Sequence, residues 1–234
     1  DVDWDKTMIG AQNGLMEALD PHSTYIGADR MDQINESFRG NFEGIGIEFD
    51  IIDDYITVIT PIVGSPSDGL LHPGDQIVKI DAASAYKITR DGVFEKLRGP
   101  KGSKVDLEIA RLGETELIPY TIYRDKIPIY SVMAEFVMKD GTGYILLNRF
   151  SSTTSNEVIT AITELQDQGM ERLIIDLRNN SGGYMDEVIK IVDHILPGGE
   201  KILSTKGRLK NANEEMYSKH KPTFYKQPII AIIN

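Results

Sequence analysis

The stretch Asp176-Leu-Arg-Asn-Asn-Ser-Gly-Gly183 is where the residue types of this chain come closest to a reaction centre. The aliphatic run Leu173 to Leu177 feeds a polar turn, and two glycines then open a helical pattern. Glycine lets a backbone approach a ligand closely, and the free amides of a helix start favour an anion. In acyl transfer that anion is the tetrahedral oxyanion, where losing one donor costs on the order of 3 kcal/mol of barrier. Gly182 is the first choice for the donor and Gly183 the second. Taken alone, a plain turn that needs positive φ is the simpler reading of the same pair.

A second candidate is Gly44-Ile-Gly-Ile47, where small and apolar residues alternate into a strand. Successive amides at such a turn can grip a terminal carboxylate while the strand edge pairs with a peptide. Gly44, Ile45, Gly46 and Ile47 would form that side. A short helix from Asp91 to Leu97 would form the other wall, lined by Val93, Phe94 and Leu97. Tight packing in a hairpin explains the glycines equally, and the helix residues suit a core equally. Other matches fail. Asp1, Asp3 and Asp5 imitate a calcium loop, but its glycine position is Lys6 and its glutamate position Gln12. Gly99-Pro-Lys-Gly-Ser-Lys104 lacks phosphate-loop spacing. His22, His72, His194 and His220 lack metal-ligand spacing, and there is no cysteine. Asp186 and Glu187 read as partners of a helix dipole and not as an acid–base pair. No metal or cofactor is expected.

The elements that would position these turns alternate in type. Residues 5 to 19 are helical by the spacing of Met8, Ile9, Leu15, Met16 and Leu19, with Asp20-Pro21 as the stop. Residues 28 to 39 read as a short polar helix or a loop. Strands follow at Ile45 to Phe49, Tyr55 to Ile59 and Gln76 to Ile80, the first two joined across Asp53-Asp54. Val105 to Arg111 and Leu117 to Tyr123 form a hairpin, so residues 40 to 125 predict a small β-barrel with one inserted helix. After Lys126 the pattern is α/β. Val132 to Met138 and Gly143 to Phe150 are strands, and Thr154 with Glu157 makes a capping box for a helix on Val158, Ile162 and Leu165. That helix ends at Gly169. A strand at Leu173 to Leu177 precedes a helix with Val188, Ile189, Val192 and Ile195 inward, and Lys201 to Thr205 and Pro228 to Ile233 are further strands.

The 234 residues suit one large domain or two modest ones, and 41% hydrophobic with 26% charged residues is ordinary for a globular protein. A net charge of -11 opposes nucleic-acid binding. No apolar run reaches bilayer length. Both ends are abrupt, and a fragment is expected.

Several motifs stand together in one order. Phe42-Glu-Gly-Ile-Gly-Ile-Glu48, Leu71-His-Pro-Gly-Asp-Gln-Ile-Val-Lys-Ile-Asp81 and Leu97-Arg-Gly-Pro-Lys-Gly-Ser103 resemble a PDZ domain. Leu19-Asp-Pro-His-Ser23, Gly143-Tyr-Ile with Phe150, Asp176 to Gly183 and Thr205-Lys-Gly-Arg208 resemble the carboxyl-terminal processing (tail-specific) proteases. The resemblance spans nearly the whole chain. It implies an α+β multidomain protein: an N-terminal helical segment (1–39), a PDZ β-barrel module (40–125) and the first part of a layered, crotonase- or Clp-protease-like α/β core (126–234). It further implies a serine endopeptidase with a lysine base, both beyond Asn234, and oxyanion donors at Gly182 and Gly183. Protein or peptide C-termini are the implied partners, a homo-oligomer is possible in such a family, and the implied location is the cell envelope, periplasmic or secreted. A catalytically inactive docking protein on the same scaffold is the alternative. The PDZ motif departs from the family at Ser67-Asp68-Gly69-Leu70-Leu71 and at Ala82. Arg98 reads as a solvated or hinge-capping residue.

Overall fold

The computed structural model describes residues 2–209, 212–219 and 227–234. His220 therefore lies outside the described residues. The chain begins with helix α1 (Trp4–Glu17), capped by the Asp3 carboxylate on the Lys6 amide, 3.0 Å. No residue of α1 is buried, and Met8, Ile9 and Leu15 stay exposed. Residues 28–39 settle as helix α2 (Ala28–Arg39), ended by Gly40 at φ +71°. A side chain there is excluded twice over, because its Cβ would also lie 2.8 Å from Thr153 Oγ1.

The next unit grows from alternation. Strand β1 (Asn41–Gly44) pairs antiparallel with β8 (Asp125–Pro128), closing the two ends of the segment between them. Inside lie β2 (Ile47–Ile52), β3 (Tyr55–Pro61), β4 (Gln76–Ile80), β5 (Ala83–Ser84), β6 (Lys104–Ala110) and β7 (Ile118–Tyr123). Their order is β2-β3-β4-β6-β7, with β5 on β4. Asp53 and Asp54, at φ +51° and +67°, make the two-residue turn between the paired Ile52 and Tyr55. The inward residues Ile56, Val58, Ile77, Val105, Leu107, Ile109 and Ile122 form a core with Val93 and Leu97 of helix α3 (Arg90–Leu97). The expected closed barrel does not form. The sheet is open, with β2 and β7 as its edges, and α3 packs Val93 and Leu97 into the same core.

The third part is a four-stranded sheet of β9 (Val132–Val137), β10 (Thr142–Leu147), β11 (Arg172–Asp176) and β14 (Ile229–Ile232), in the order β14-β11-β10-β9. β9 is antiparallel to β10, and the other pairings are parallel. Helices α4 (Thr154–Asp167) and α5 (Met185–Ile195) pack on one core with Ile145, Leu147 and Leu173. β12 (Lys201–Thr205) and β13 (Glu214–Tyr217) form a separate ribbon.

Two local expectations are corrected. Thr153, not Thr154, is the N-cap of α4, and Glu157 spends one oxygen on the Ser131 and Val132 amides (2.7 and 3.1 Å) and the other on the Thr153 hydroxyl. In α5 the buried residues are Glu187, Ile191 and Asp193, while Val188, Ile189 and Val192 are half-buried. Glu187 is drawn inward by the Ser155 amide at 2.9 Å and by Lys190.

Candidate functional site

The groove side begins at the free edge of β2. Residues 45 and 46 connect β1 to β2, and the carbonyls of this turn face away from the groove. Ile45 C=O accepts from the Ser67 amide (3.1 Å), and Gly46 C=O accepts from the Ile62 amide (3.0 Å) and the Ser65 hydroxyl (2.9 Å). Among the described residues no peptide bond is cis. In a trans peptide the next N–H points opposite to the carbonyl, so the Gly46 and Ile47 amides point away from the 62–67 loop, on the pocket side. Gly46 is at φ +78°, and a Cβ there would lie 2.2 Å from Ser65 Cβ, so the close approach requires glycine.

α3 forms the facing wall. Its N-cap Thr89 accepts from the Gly92 amide at 3.2 Å. Val93 and Leu97 are buried, and the Phe94 ring meets Phe49 edge-on with centroids 5.5 Å apart. Gly44, Ile45, Gly46, Ile47, Val93, Phe94 and Leu97, singled out from sequence, line one pocket together with Phe42, Phe49 and Arg98. Of the two roles read for Arg98, solvated or hinge-capping, the solvated one does not hold, since its side chain is only 30% exposed. Its guanidinium lies 4.9 Å from the Phe42 ring and 4.7 Å from the Phe94 ring, and it is ion-paired with Glu36 of α2. A wider cleft continues from this pocket along β2 to Asn148 and Arg149, at the exit of β10.

The glycine turn is built from the C-terminal end of β11. The Asp176 side chain is 1% exposed and accepts from the Tyr144 hydroxyl (2.7 Å), the Arg178 amide (3.0 Å) and the Arg178 guanidinium (2.6 to 3.0 Å). The Arg178 contacts first, then Tyr144, hold the Asp176 carboxyl well below the usual carboxylate range. The same carboxylate pushes the Tyr144 phenol up. Beyond it, Asn180 donates to Leu147 C=O at 2.9 Å, and the Ser181 amide donates to Asn148 C=O at 3.1 Å. The Phe150 amide donates to Gly182 C=O, and the Tyr184 amide to Phe150 C=O, both at 2.8 Å.

The two glycine amides differ. Gly182, at φ +82°, donates to its neighbour Asn180 Oδ1 at 2.8 Å. Gly183, at φ +146°, has no acceptor for its amide among the described residues. Both glycines are exposed. Asp176, Asn180, Tyr144 and Phe150, which shape this turn, all lie in the motifs that carried the family resemblance, but no role at the turn was read for their side chains. Asp186 and Glu187 both stand in the first turn of α5, as the helix-dipole reading expects; Asp186 is exposed, whereas Glu187 is buried and also accepts from the Ser155 amide. Among the described residues no group of three or more His, Asp or Glu could hold a metal ion. Within the same residues no helix is long and apolar enough to cross a membrane.

Comparison with known proteins decides the family. Residues 34–110 match the model of the PDZ domain and residues 141–234 that of peptidase family S41. The carboxy-terminal processing protease CtpA of Bacillus subtilis is 34% identical over 236 residues, covering 100% of this chain and 50% of the relative. The chain belongs to the carboxy-terminal processing protease family. A carboxy-terminal-processing protease of Bartonella bacilliformis is 33% identical over 98% of this chain and 53% of its own length. A solved PDZ domain of a carboxy-terminal protease from Vibrio cholerae, in complex with peptide, is 33% identical over 37% of this chain and 97% of that one, with a TM-score of 0.35. The chain spans about half the length of the curated relatives it matches.

Proposed function

We propose that this chain supplies the tail-recognition groove and the oxyanion turn of a serine endopeptidase of the carboxyl-terminal processing type. The observation that carries this reading is the unpaired edge of β2 facing α3 across an apolar pocket, with amides turned to the pocket at its closed end. A protein tail adds to β2 as an antiparallel strand. Main-chain hydrogen bonds supply affinity, the Gly46 and Ile47 amides take the terminal carboxylate, and the last side chain fills the pocket. Residues 1–39 form the helical segment of this scheme, 40–125 the tail-binding unit and 126–234 the first part of the cleaving unit.

At the turn we assign the oxyanion donor to Gly183, because the Gly182 amide is already taken by Asn180. A serine hydroxyl attacks the scissile carbonyl while a neutral lysine takes its proton, so burial must hold that lysine's pKa down. The charge formed on the carbonyl oxygen is met by the Gly183 N–H. Collapse expels the amine, which takes the proton back from the lysine, and water then releases the acyl group by the same route. In this reading the serine and lysine come from outside residues 1–234. A periplasmic or secreted location and a homo-oligomeric state belong to the same proposal, supported by family resemblance alone.

The test uses the full-length protein and one substrate carrying either a free or an amidated C-terminus. The free acid should be cleaved faster, chiefly through a lower KM. Equal cleavage of both would overturn tail capture.

A further inference from the structure

We propose that Arg124 is a positioning residue of the groove, which fixes the width of the pocket for the last tail residue without touching the tail. The inference rests on the tail-binding reading and adds to it a remote determinant of the side-chain size accepted. Arg124 joins β7 to β8 and is 8% exposed. Its guanidinium donates to Lys96 C=O (2.7 Å) and Leu97 C=O (3.2 Å), the last two carbonyls of α3. It also donates to Lys104 C=O (2.8 Å) and the Ser103 hydroxyl (3.0 Å). A helix end leaves its last carbonyls unpaired and carries partial negative charge, and a buried cation answers both. All four partners are oxygens of uncharged groups. This arginine therefore holds the helix end and does not balance a carboxylate.

The helix end that it holds is a wall of the pocket. Leu97 is buried and lines the pocket. A Cβ at Gly44 would lie 3.5 Å from the Leu97 carbonyl oxygen, so the strand side and the helix end meet there. Gly44 pairs in turn with Asp125, the residue after Arg124. The Arg124 side chain thus grips the helix wall, while its neighbour in sequence holds the strand wall through the backbone. The Gly44–Arg98 bridge and the Gly99 amide on Glu43 C=O (3.3 Å) also tie the two walls. Loss of the guanidinium strips two α3 carbonyls of their donor, and these must turn outward to find water. The pocket then widens at Leu97. Lysine keeps the charge but has three donors for four acceptors and no planar fork. A wider pocket loses contacts with a short side chain and gains room for a ring.

Fluorescence anisotropy of this chain with labelled peptides ending in leucine or phenylalanine, each as free acid and as amide, tests the proposal. Arg124→Lys should weaken leucine-ended acids by about tenfold, the scale of one or two lost charged hydrogen bonds, and phenylalanine-ended acids much less. Ser103→Ala removes one of the four contacts and should move the phenylalanine-to-leucine ratio the same way, by about twofold. Partial unfolding lowers every affinity by one common factor, so the ratio responds to pocket shape alone. Ile109→Val thins the core of the same unit without touching a pocket-lining residue. It should lower the thermal midpoint and leave the ratio unchanged. If acids beat amides but Arg124→Lys and Ser103→Ala weaken both tails by one factor, Arg124 only stabilises the unit and the groove reading stands. Should Arg124→Lys fail to fold, Ser103→Ala decides by the same comparison. The assignment is equally wrong if Ile109→Val moves the ratio as far. If acids and amides bind alike to the unaltered chain, the groove reading fails and takes this inference with it.

Discussion

Alanine at Gly183 should damage the turn far more than alanine at Gly182, one residue away. A Cβ at Gly183 would fall 2.0 Å from the Phe150 carbonyl oxygen and 2.6 Å from its carbon, both fixed backbone atoms. Non-bonded contacts are comfortable near ~3.5 Å, so the chain must retreat by more than ~1 Å. That retreat breaks the hydrogen bonds from the Phe150 amide to Gly182 and from the Tyr184 amide to Phe150. Each is worth about 1 kcal/mol, and the positive φ of 146° adds about 1–3 kcal/mol of strain. The local cost is then about 3–5 kcal/mol. At Gly182 a Cβ meets nothing within 4 Å, and only the φ of +82° is strained, for about 1–2 kcal/mol.

Amide hydrogen exchange reads this difference where it arises. The Phe150 and Tyr184 amides should exchange on the order of thirtyfold faster in Gly183→Ala than in Gly182→Ala, which corresponds to about 2 kcal/mol of local opening. In the full-length enzyme Gly183→Ala should lower kcat by on the order of 10²–10³, with a much smaller loss for Gly182→Ala. Equal exchange in the two variants would refute the steric argument. An equal loss of kcat would refute the assignment of the oxyanion donor to Gly183.

Electrostatics sets three further outcomes. Burial pushes the Asp75 carboxyl up, but Arg111 and the His72 amide outweigh it and leave the group below its ordinary range. Asp75→Asn should therefore strand Arg111 and cost the β-rich unit about 3 kcal/mol in urea unfolding. The lowered pKa of Asp176 stabilises the fold above the unfolded carboxylate value of about 4, and that contribution is lost as pH falls through the folded value. Thermal melts of the wild type should thus decline below about pH 4 more steeply than those of Asp176→Asn, and parallel declines would contradict the linkage. A double-mutant cycle on Arg98 and Glu36, both less than a third exposed, should give a coupling of about 1 kcal/mol, and zero coupling would mean that the pair only decorates the surface.

Legibility in the sequence followed the range of the signal. β4 and β12 were read at their observed limits because their patterns are local, short aliphatic runs bounded by turn residues. The β1–β8 pairing was missed, since two four-residue strands joined across more than eighty residues leave no periodicity to find. β13, Glu214-Glu-Met-Tyr217, carries too few apolar residues to announce a strand and exists through its pairing with β12. The inward face of α5 was only partly read: Ile195 packs on the core as expected, but Glu187 is buried for its hydrogen bonds, a tertiary demand that hydropathy scores against. At the glycine turn the residue pair was visible, but which amide is spent depends on one carboxamide rotamer at Asn180.

The relation between groove and turn is set by the least apolar element of the chain. Three consecutive residues near the end of α2 reach three different structures. Glu36 pairs with Arg98 at the groove, Ser37 accepts from Arg149 after β10 at 2.9 Å, and the Phe38 ring lies 5.2 Å from that of Tyr184, the N-cap of α5. Successive helical residues point about 100° apart, so one turn of helix can face all three at once, which a strand with its two faces cannot. The backbone adds two ties, from the Ser152 amide to Phe38 C=O and from the Ile129 amide to Gly40 C=O, both at 2.8 Å. These contacts tie the edge of the proposed groove to the turn that carries Gly183. The polar composition of residues 28–39, which serve three partners through polar and aromatic contacts, is why they read from sequence as a short polar helix or a loop.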